Sequence, residues 1–484
     1  MIWSNQTKFC ILTANKAKVS FQQLDKRFQP KIFLFAILDT DNYDDPLSFE
    51  FDCCTDGSNM MSKFQKDIKM SVSSQTLPIF LECPQNSEEA PKKRIDSPKL
   101  KQIIEQNLNT DPEFSDYIYC SSLVKLNEFS VFMILTLNKN IVDEYYSLNN
   151  QYNEYFRIQT SLINATAEQF LHDSEFFLST KVHPTKYITN FPNSSEILRG
   201  AAFRLVASLE FICDSNHPLF DLYYSLNQIS SLKYEGSTCN NKIIISKEII
   251  DRFNFQIKLK VPIQITNHKA IRKLLEIIPE NCMMICDSKI IYGWGNFINP
   301  YDPKKEDCFV VRFIKQEVWE LSHNGNILMT VDREIPSLPQ TESHKKYFAE
   351  SVRQKISLEE GKIDQLWDLF KSISNQKRGT TVVISNSADI ETIRLQKQSF
   401  PVEPFNVTPE IMEEISSIDG AIVLDNELKC HAIGVILDGL ASDKCDSSRG
   451  SRYNSAIKYT EFKKDCVVIV VSEDGPVDVF PKMD

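Results

Sequence analysis

The chain lacks any hydrophobic segment long enough to cross a membrane. Nowhere in its 484 residues does an apolar run approach the roughly 18 residues that predict a transmembrane helix. The first residues, Met1-Ile2-Trp3-Ser4-Asn5-Gln6, also lack the basic start and apolar stretch of a secretory signal peptide. We therefore expect a cytoplasmic protein with no membrane partner.

Paired cysteines are missing as well. The sequence has 13 cysteines, which are scattered, and it contains no CxxC pair. Cys53 and Cys54 are adjacent, and Cys282 and Cys286 are close in sequence, but neither pair supplies the four well-spaced ligands of a structural zinc site. Because several cysteines stand in apolar stretches, we interpret them as reduced and structural.

Positive charge is in short supply. The chain has 54 Lys and Arg against 65 Asp and Glu, which gives a formal net charge of −11 at pH 7. Binding along a DNA or RNA backbone normally requires a basic face, so this balance argues against a nucleic acid partner. A small anionic ligand such as ATP is compatible with it, because a few local donors are enough to bind one.

The composition and the length predict an ordinary globular protein of several domains. Hydrophobic residues make up 42% and charged residues 25%, and the length suggests two or three domains. Residues 1–150 are predicted as an α+β region of unknown role, and residues 151–345 as an α+β module. Residues 346–375 are predicted as one connecting helix, which leads to an α/β domain over residues 376–484.

The first two regions show short runs with clear periodicity. Alternating or continuous apolar residues predict strands, and apolar residues at helical spacing predict helices. Strands are expected over residues 31–38, 131–135, 242–246 and 255–261, helices over 195–206 and 270–277, and hairpins between 283 and 329.

Three ring side chains in the hairpin block are compatible with a ligand pocket. For Trp294 and Trp319 we favour core packing, since buried aromatic residues are usual in β-rich modules. His323 stands beside the Asn324-Gly325 turn, so we expect it to face solvent.

The last region alternates strands with helices, which predicts a mixed sheet flanked by helices. Three of its loops carry polar groups at strand or helix ends, where ligands bind in such folds. Residues 449–455 offer arginines, hydroxyls and N–H groups at a helix N-terminus, which suit phosphate oxygens. Taken alone, each signal is weak, because the Gly-Ser pair is commonly a cap, Asp419 a turn residue and residues 473–475 a hairpin turn.

The order of these motifs resembles the diadenylate cyclase (DisA-N) family. Asp419-Gly420-Ala421 comes first, followed by the loop Arg449-Gly450-Ser451-Arg452 and then by Ser472-Glu473 after a β-run. Residues 379–384 and 398–400 are similar to the opening of that domain, and the resemblance covers residues 365–484. Parts of the middle region, residues 313–323 and 335–339, more loosely resemble DACNV, a sensor module found fused to these cyclases.

This resemblance implies a reaction, a set of partners and a set of site residues. Two domains, each with one ATP, would face each other in an at least transient dimer and form cyclic di-AMP with release of two pyrophosphates. Mg²⁺ or Mn²⁺ would neutralise the triphosphate. Asp419 would help to activate the 3′-hydroxyl and bind metal, and Arg452 would hold phosphate. The other implied nucleotide-binding residues are Gly420, Ala421, Leu437, Arg449, Gly450, Ser451, Tyr453, Asn454, Ser455, Ser472 and Glu473.

The phosphate loop departs from the family pattern Gly-Thr-Arg-His-Arg. Tyr453 replaces the histidine and Asn454 replaces the second arginine. Losing one charge-assisted hydrogen bond costs roughly 1.5–3 kcal/mol, which corresponds to roughly 10- to 100-fold in rate. Arg449, at the start of the loop, is a candidate for supplying the missing charge.

Two functions therefore stay open. The first is an active diadenylate cyclase regulated by an N-terminal sensor. The second is a weak or inactive domain that binds ATP or a cyclic dinucleotide as a sensor. Asp419 favours the first, and the changed phosphate loop favours the second.

Overall fold

The chain folds into two compact units, Met1–Pro339 and Gln340–Asp484. The computed structural model describes residues 6–38, 49–53, 79–82, 92–95, 101–102, 105, 109, 116–126, 129–149, 157–179, 191–213, 219–233, 241–353, 355–356, 358–373, 379–440, 442–443, 445, 450–471 and 477–481.

The first unit begins with helix α1 (Gln6–Leu24), which buries one face at helical spacing, from Phe9 through Thr13 and Ala17 to Phe21. An antiparallel sheet follows, in the order β2-β1-β7-β5 with β6 also pairing with β7. The strands are β1 (Lys31–Leu38), β2 (Phe49–Cys53), β3 (Ile79–Glu82), β4 (Lys92–Ile95), β5 (Asp116–Cys120), β6 (Val124–Leu126) and β7 (Phe129–Asn138), and β3 pairs with β4 separately.

Helices connect this sheet to a second, eight-stranded sheet in the order β15-β14-β13-β12-β8-β10-β11-β9. One hydrophobic cluster extends from Phe9 on α1 to Val331 on β14, so both sheets share a core. The helices are α2 (Lys139–Val142), α3 (Leu162–Ser179), α4 (Ser194–Cys213), α5 (Leu222–Ser231) and α6 (His268–Leu275). The strands are β8 (Lys242–Ser246), β9 (Phe253–Gln264), β10 (Met283–Cys286), β11 (Ile290–Phe297), β12 (Cys308–Lys315), β13 (Val318–His323), β14 (Asn326–Asp332) and β15 (Ile335–Ser337).

The second unit is a six-stranded mixed sheet in the order β17-β19-β18-β16-β20-β21. The β16–β18 pair is parallel and the other pairs are antiparallel. The elements are α7 (Glu342–Arg353), α8 (Glu360–Ile373), β16 (Thr380–Ser385), α9 (Ala388–Leu395), a 3₁₀ turn (Gln396–Gln398), β17 (Phe400–Asn406), α10 (Pro409–Ile415), β18 (Ala421–Leu424), β19 (Lys429–Val435), α11 (Ser451–Phe462), β20 (Cys466–Val471) and β21 (Val477–Phe480).

Successive residues of a strand point to opposite faces of the sheet, and both faces of this sheet are buried. Val382 and Ile384 of β16 join a cluster with residues of α7, α8 and α10, whereas Val383 joins a second cluster with residues of α9 and α11. The predicted fold class, an α/β domain with a mixed sheet behind an α+β region, is therefore confirmed.

The prediction of a single connecting helix over residues 346–375 is wrong. Helices α7 and α8 are separate, and both bury apolar residues, such as Val352 and Leu366, in one cluster. The sequence carries a start signal for the second helix, since Ser357-Leu358-Glu359-Glu360 has the S-x-x-E pattern. The boundaries expected at residues 150 and 345 stay predictions.

The expectation for His323 is wrong, whereas that for the tryptophans is confirmed. Trp319 is fully buried and donates from Nε1 to Asn227 Oδ1 at 2.8 Å, and Trp294 is buried too. His323 is 0% exposed, because β13 turns it inward between the hydroxyls of Tyr146 and Tyr301. The Asn-Gly turn beside it is exposed, but the side chain itself belongs to the inward face of its strand.

Buried thiols are distributed through both units. Burial raises the pKa of Cys308 to about 11 and that of Cys430 to about 12, which keeps both thiols protonated and inert. No helix in the described ranges is long and apolar enough to cross a membrane.

Candidate nucleotide site

Several strand ends meet at one edge of the mixed sheet. The register pairs Thr381 with Ala421 and Ala421 with Val435, and it pairs Thr380 with Val471. The starts of β16 and β18 therefore lie beside the ends of β19 and β20. Asp419 and Gly420 precede β18, Leu437 follows β19, and the chain leaves β20 at this same edge. Ser472 and Glu473, like Arg449, lie outside the described residues.

Gly420 is required at this edge by both conformation and space. Its φ is +107°, a region that side chains rarely adopt. A Cβ atom on Gly420 would stand 2.5 Å from the carbonyl carbon of Gly434, which itself has a φ of +62°. The two backbones can approach this closely because Gly420 has no side chain.

The N-terminus of α11 lies beside Asp419. Gly450 is its N-cap and Ser451 its first residue, both are exposed, and the first turn contains no acidic side chain. Arg452 Nη2 lies 3.4 Å from Asp419 Oδ1, and the two side chains are 31% and 97% exposed. The positive end of a helix and a guanidinium therefore face an accessible carboxylate, an arrangement that suits a phosphate beside a hydroxyl.

The next two loop residues lie differently from the expectation for a phosphate-binding loop. The Tyr453 ring packs edge-on against Phe480, with centroids 4.9 Å apart, at the margin of the hydrophobic cluster. Asn454 Nδ2 is directed at its own helix start, 3.5 Å from the Gly450 carbonyl oxygen. In the described part of the loop, Arg452 is thus the one cation beside Asp419.

The remaining predicted residues are partly or wholly in the interior. Ala421 is buried in the cluster between the sheet and α11, so only its backbone reaches the edge. Leu437 packs partly against the same cluster, and Ser455 is half-buried in α11. Around them the surface is apolar: Phe400 is 62%, Ile418 38% and Ile436 64% exposed, and the first two cover Gly434.

Sequence reasoning missed the residues that hold the loop after β19. Gln398 accepts from the Ile436 N–H at its carbonyl oxygen at 3.0 Å and donates from Nε2 to the Ile436 carbonyl at 2.8 Å. Arg394 forms an ion pair with Asp438, the residue after Leu437. An Arg three residues after Glu391 on a helix was a detectable signal, but its link to Asp438 is not local.

The side chains at this edge supply only part of what a divalent cation requires. In the described residues no three His, Cys, Asp or Glu side chains gather to hold a metal, and Asp419 is an exposed carboxylate at this edge. Mg²⁺ commonly binds through one or two carboxylates together with substrate phosphates and water. The site therefore fits a cation that arrives with a triphosphate rather than a protein cage.

Family models match three segments of the chain. Residues 368–483 match DAC, described as "DisA bacterial checkpoint controller nucleotide-binding". Residues 2–206 match "Probable sensor domain DACNG" and residues 220–325 match "Probable sensor domain DACNH". The expected DACNV module needs correction: the strands that suggested it follow a general β alternation, which does not distinguish one sensor family from another.

Solved structures give remote similarities. A double mutant of DacA from Staphylococcus aureus is 18% identical over 25% of this chain and 83% of its own, with a TM-score of 0.22. A hypothetical membrane spanning protein from Bacillus cereus is 25% identical over 24% of this chain and 57% of its own, with a TM-score of 0.19. No curated protein matches significantly. The matched models therefore identify a C-terminal DAC (DisA-N) nucleotide-binding domain, preceded by segments that match the probable sensor domains DACNG and DACNH.

Proposed function

We propose that the protein is a diadenylate cyclase that condenses two ATP into cyclic di-AMP and two pyrophosphates, under the control of its sensor domains. The observation that carries this proposal is the exposed Asp419 carboxylate beside Arg452 and the free end of α11. A domain that only bound ATP would have little use for an accessible acid at that position.

Each group has a role that follows from its chemistry. Asp419 accepts a hydrogen bond from the 3′-hydroxyl of one ATP, orients it and takes its proton as the oxygen attacks the α-phosphate of the other ATP. The new P–O bond forms as the bond to pyrophosphate breaks. Arg452 and the N–H groups of Gly450 and Ser451 hold the phosphate oxygens, whose charge grows in the transition state. Asp419 would also hold Mg²⁺ or Mn²⁺, which would supply positive charge to neutralise the triphosphate.

A second copy of the domain is part of this proposal. Asp419 and Arg452 form one acid–base pair at one sheet edge, whereas the product needs two attacks, each on the ATP of the other site. Two domains facing each other through this edge provide both, so ATP and a second chain are the proposed partners. ATP as substrate agrees with the expected cytoplasmic location.

The test is product analysis by mass spectrometry of the full chain with ATP and Mg²⁺ or Mn²⁺. Asp419→Asn is expected to lower cyclic di-AMP formation by at least roughly 100-fold. Because the Asp419 side chain is 97% exposed, the thermal stability of this variant is expected to equal that of the wild type. Asp364→Asn is the matched control, since Asp364 is a 58% exposed acid of the same unit that pairs with Lys345. Equal product from Asp419→Asn and wild type would refute the assigned role.

The second candidate is a domain that binds ATP or a cyclic dinucleotide without turnover. The orientation of Tyr453 favours it, because the ring that replaces the histidine of the family pattern packs against Phe480. Saturable ATP binding by calorimetry with no dinucleotide under either metal would support this function over the first.

A further inference from the structure

We propose that Glu391 is a positioning residue for the nucleotide site, acting on the Leu437 side through Arg394 and on the Arg452 side through Tyr459. The identity of the ligand in this inference rests on the proposed function. The positioning role rests on the contacts of the Glu391 carboxylate. Glu391 touches neither Asp419 nor the expected position of a nucleotide, so its effect passes through its two partners.

Glu391 is a buried hub on α9. Its side chain is 1% exposed, and Arg394, one turn later, donates from Nε to both carboxylate oxygens at 3.1 Å and from Nη2 to Oε1 at 2.5 Å. The Tyr459 hydroxyl of α11 donates to the same Oε1, and Lys463 Nζ lies 3.6 Å from Oε2. Burial alone would raise the pKa of Glu391, but the hydrogen bonds from Arg394 and Tyr459 hold it below its usual value. The group is a carboxylate at neutral pH.

The first connection, the loop arm, runs from Glu391 through Arg394 to the loop after β19. The same Arg394 guanidinium binds both oxygens of Asp438, with Nη1–Oδ2 at 2.5 Å and Nη2–Oδ1 at 2.8 Å. A planar fork that binds two carboxylates at once has little freedom to rotate. Asp438 immediately follows Leu437, and Gln398 already holds both backbone groups of Ile436. Glu391 thus fixes Arg394, and Arg394 fixes the end of the loop that presents Leu437.

The second connection, the helix arm, runs from Glu391 through Tyr459 to α11, the helix that carries Arg452. Tyr459 lies two turns after Arg452 in α11, so both residues are on the same face of the helix. A hydroxyl anchored on Glu391 sets the rotation of α11 about its axis, and this rotation decides whether Arg452 points to Asp419. Gly439 adds a second link, since a Cβ atom there would stand 2.5 Å from the Lys458 carbonyl carbon. One carboxylate therefore aligns the two sides of the site with each other.

The two arms can be cut separately by near-isosteric substitutions. Asp438→Asn weakens the loop arm, and we expect an ATP dissociation constant raised roughly 3- to 10-fold with kcat nearly unchanged, because the Leu437 side contacts the nucleotide before and during reaction. Tyr459→Phe removes the helix arm, and we expect kcat lowered roughly 3- to 10-fold with smaller change in ATP affinity, because Arg452 faces the phosphates.

The experiment combines ATP titration calorimetry, product rates and amide exchange of the nucleotide-free full chain. Asp438→Asn is expected to speed exchange in residues 436–440 alone, and Tyr459→Phe in the first turn of α11 alone. Asp438→Glu, which keeps the charge, is expected to restore ATP affinity in part, and Asp364→Asn serves as the matched control for an exposed ion pair.

Two outcomes would overturn the proposal. One is that both variants match Asp364→Asn in exchange and in ATP affinity. The other is that both variants loosen both segments equally and lower kcat and affinity in parallel, which is the signature of a merely structural network. A wild-type chain that makes no cyclic di-AMP would refute the cyclase function instead, and amide exchange would still decide the role of Glu391.

Discussion

Two polar clusters, one in each unit, differ in how far they are exposed to solvent. At the edge of the second unit, Asp419 is 97% exposed and Arg452 is 31% exposed. In the first unit His323 is fully buried, with Nδ1 2.5 Å from the Tyr146 hydroxyl and Nε2 3.1 Å from the Tyr301 hydroxyl. Both ring nitrogens of His323 are thus satisfied inside the protein, whereas the Asp419 carboxylate keeps most of its hydrogen-bonding capacity for a ligand.

The contrast separates residues that hold the fold from residues offered to chemistry. A buried polar group stabilises a fold only when its hydrogen bonds are complete. Tyr301 also accepts from the Asp307 N–H, so the cluster around His323 is closed to further partners. The sheet edge of the second unit has the reverse character, because backbone geometry is rigid there while side chains remain accessible. Substitutions on each side sharpen this contrast.

The largest effect is expected for Gly420→Ala. The new Cβ atom would collide with the backbone of Gly434 at a φ of +107°, so the change should destabilise the second unit by roughly 2–5 kcal/mol and abolish product formation. Gly361→Ala in helix α8 is the control, since nothing lies within 4 Å of its Cβ position, and it should stabilise by up to about 1 kcal/mol. Amide exchange of β18 and β19 measures both, and a neutral Gly420→Ala would contradict the required close approach.

The next effect is expected for His323→Phe. The phenyl ring keeps the volume but leaves the tyrosine hydroxyls without the ring nitrogens, which should destabilise the first unit by about 1–3 kcal/mol. Thermal unfolding followed by exchange in β13 and β14 measures this loss. The outcome that would contradict it is unchanged exchange, which would mean that the hydrogen bonds contribute nothing net.

His323 also predicts a pH dependence. Burial lowers the pKa of His323 from its usual 6.5, and the facing Glu306 and Asp307 offset this only in part. The unfolded chain therefore takes up a proton at a pH where the folded chain does not. Stability that is present above about pH 6.5 is lost as the pH falls below it, and His323→Phe should lack this component. The difference between the two unfolding midpoints from about pH 8 to about pH 5 tests the sign.

A smaller effect is expected at Tyr453. If its ring serves to pack against Phe480, Tyr453→Ala should destabilise the second unit by about 1–2 kcal/mol, whereas Tyr453→Phe should keep stability and ATP affinity nearly unchanged. Calorimetric ATP titration of both variants measures this. A large loss of ATP affinity in Tyr453→Phe would instead assign the hydroxyl to the nucleotide, as the family resemblance implies for this position.

The smallest effect is expected for Glu427→Gln. Glu427 Oε2 lies 3.2 Å from Lys362 Nζ, and its side chain is 62% exposed, so the pair is screened by water and salt. We expect less than about 1 kcal/mol in unfolding experiments, and a further decrease at high salt. A larger loss would place this pair with the buried Glu391 network rather than with surface ion pairs.

Local pattern predicted most strands of the second unit. The continuous apolar runs at residues 380–385, 422–424 and 466–472 predict strands buried on both faces, and β16, β18 and β20 lie at these positions. Strand β17 was missed because its two prolines and polar residues give no clear alternation, and α1 was missed because its buried face includes Thr13 and Ser20. Strand β17 forms by pairing with β19 at the side of the sheet, and α1 forms by packing into the core of the first unit.

The amino-acid sequence by itself determined the strand runs, the glycines at the turns and the order of motifs that resembles a diadenylate cyclase. Tertiary structure decided which of those residues meet. Asp419 and Arg452 are 33 residues apart, and Tyr146 and His323 are 177 residues apart. The physical reason is that periodicity reports only the face a residue occupies on its own element, whereas burial and hydrogen-bond partners depend on the distant segment packed against that face.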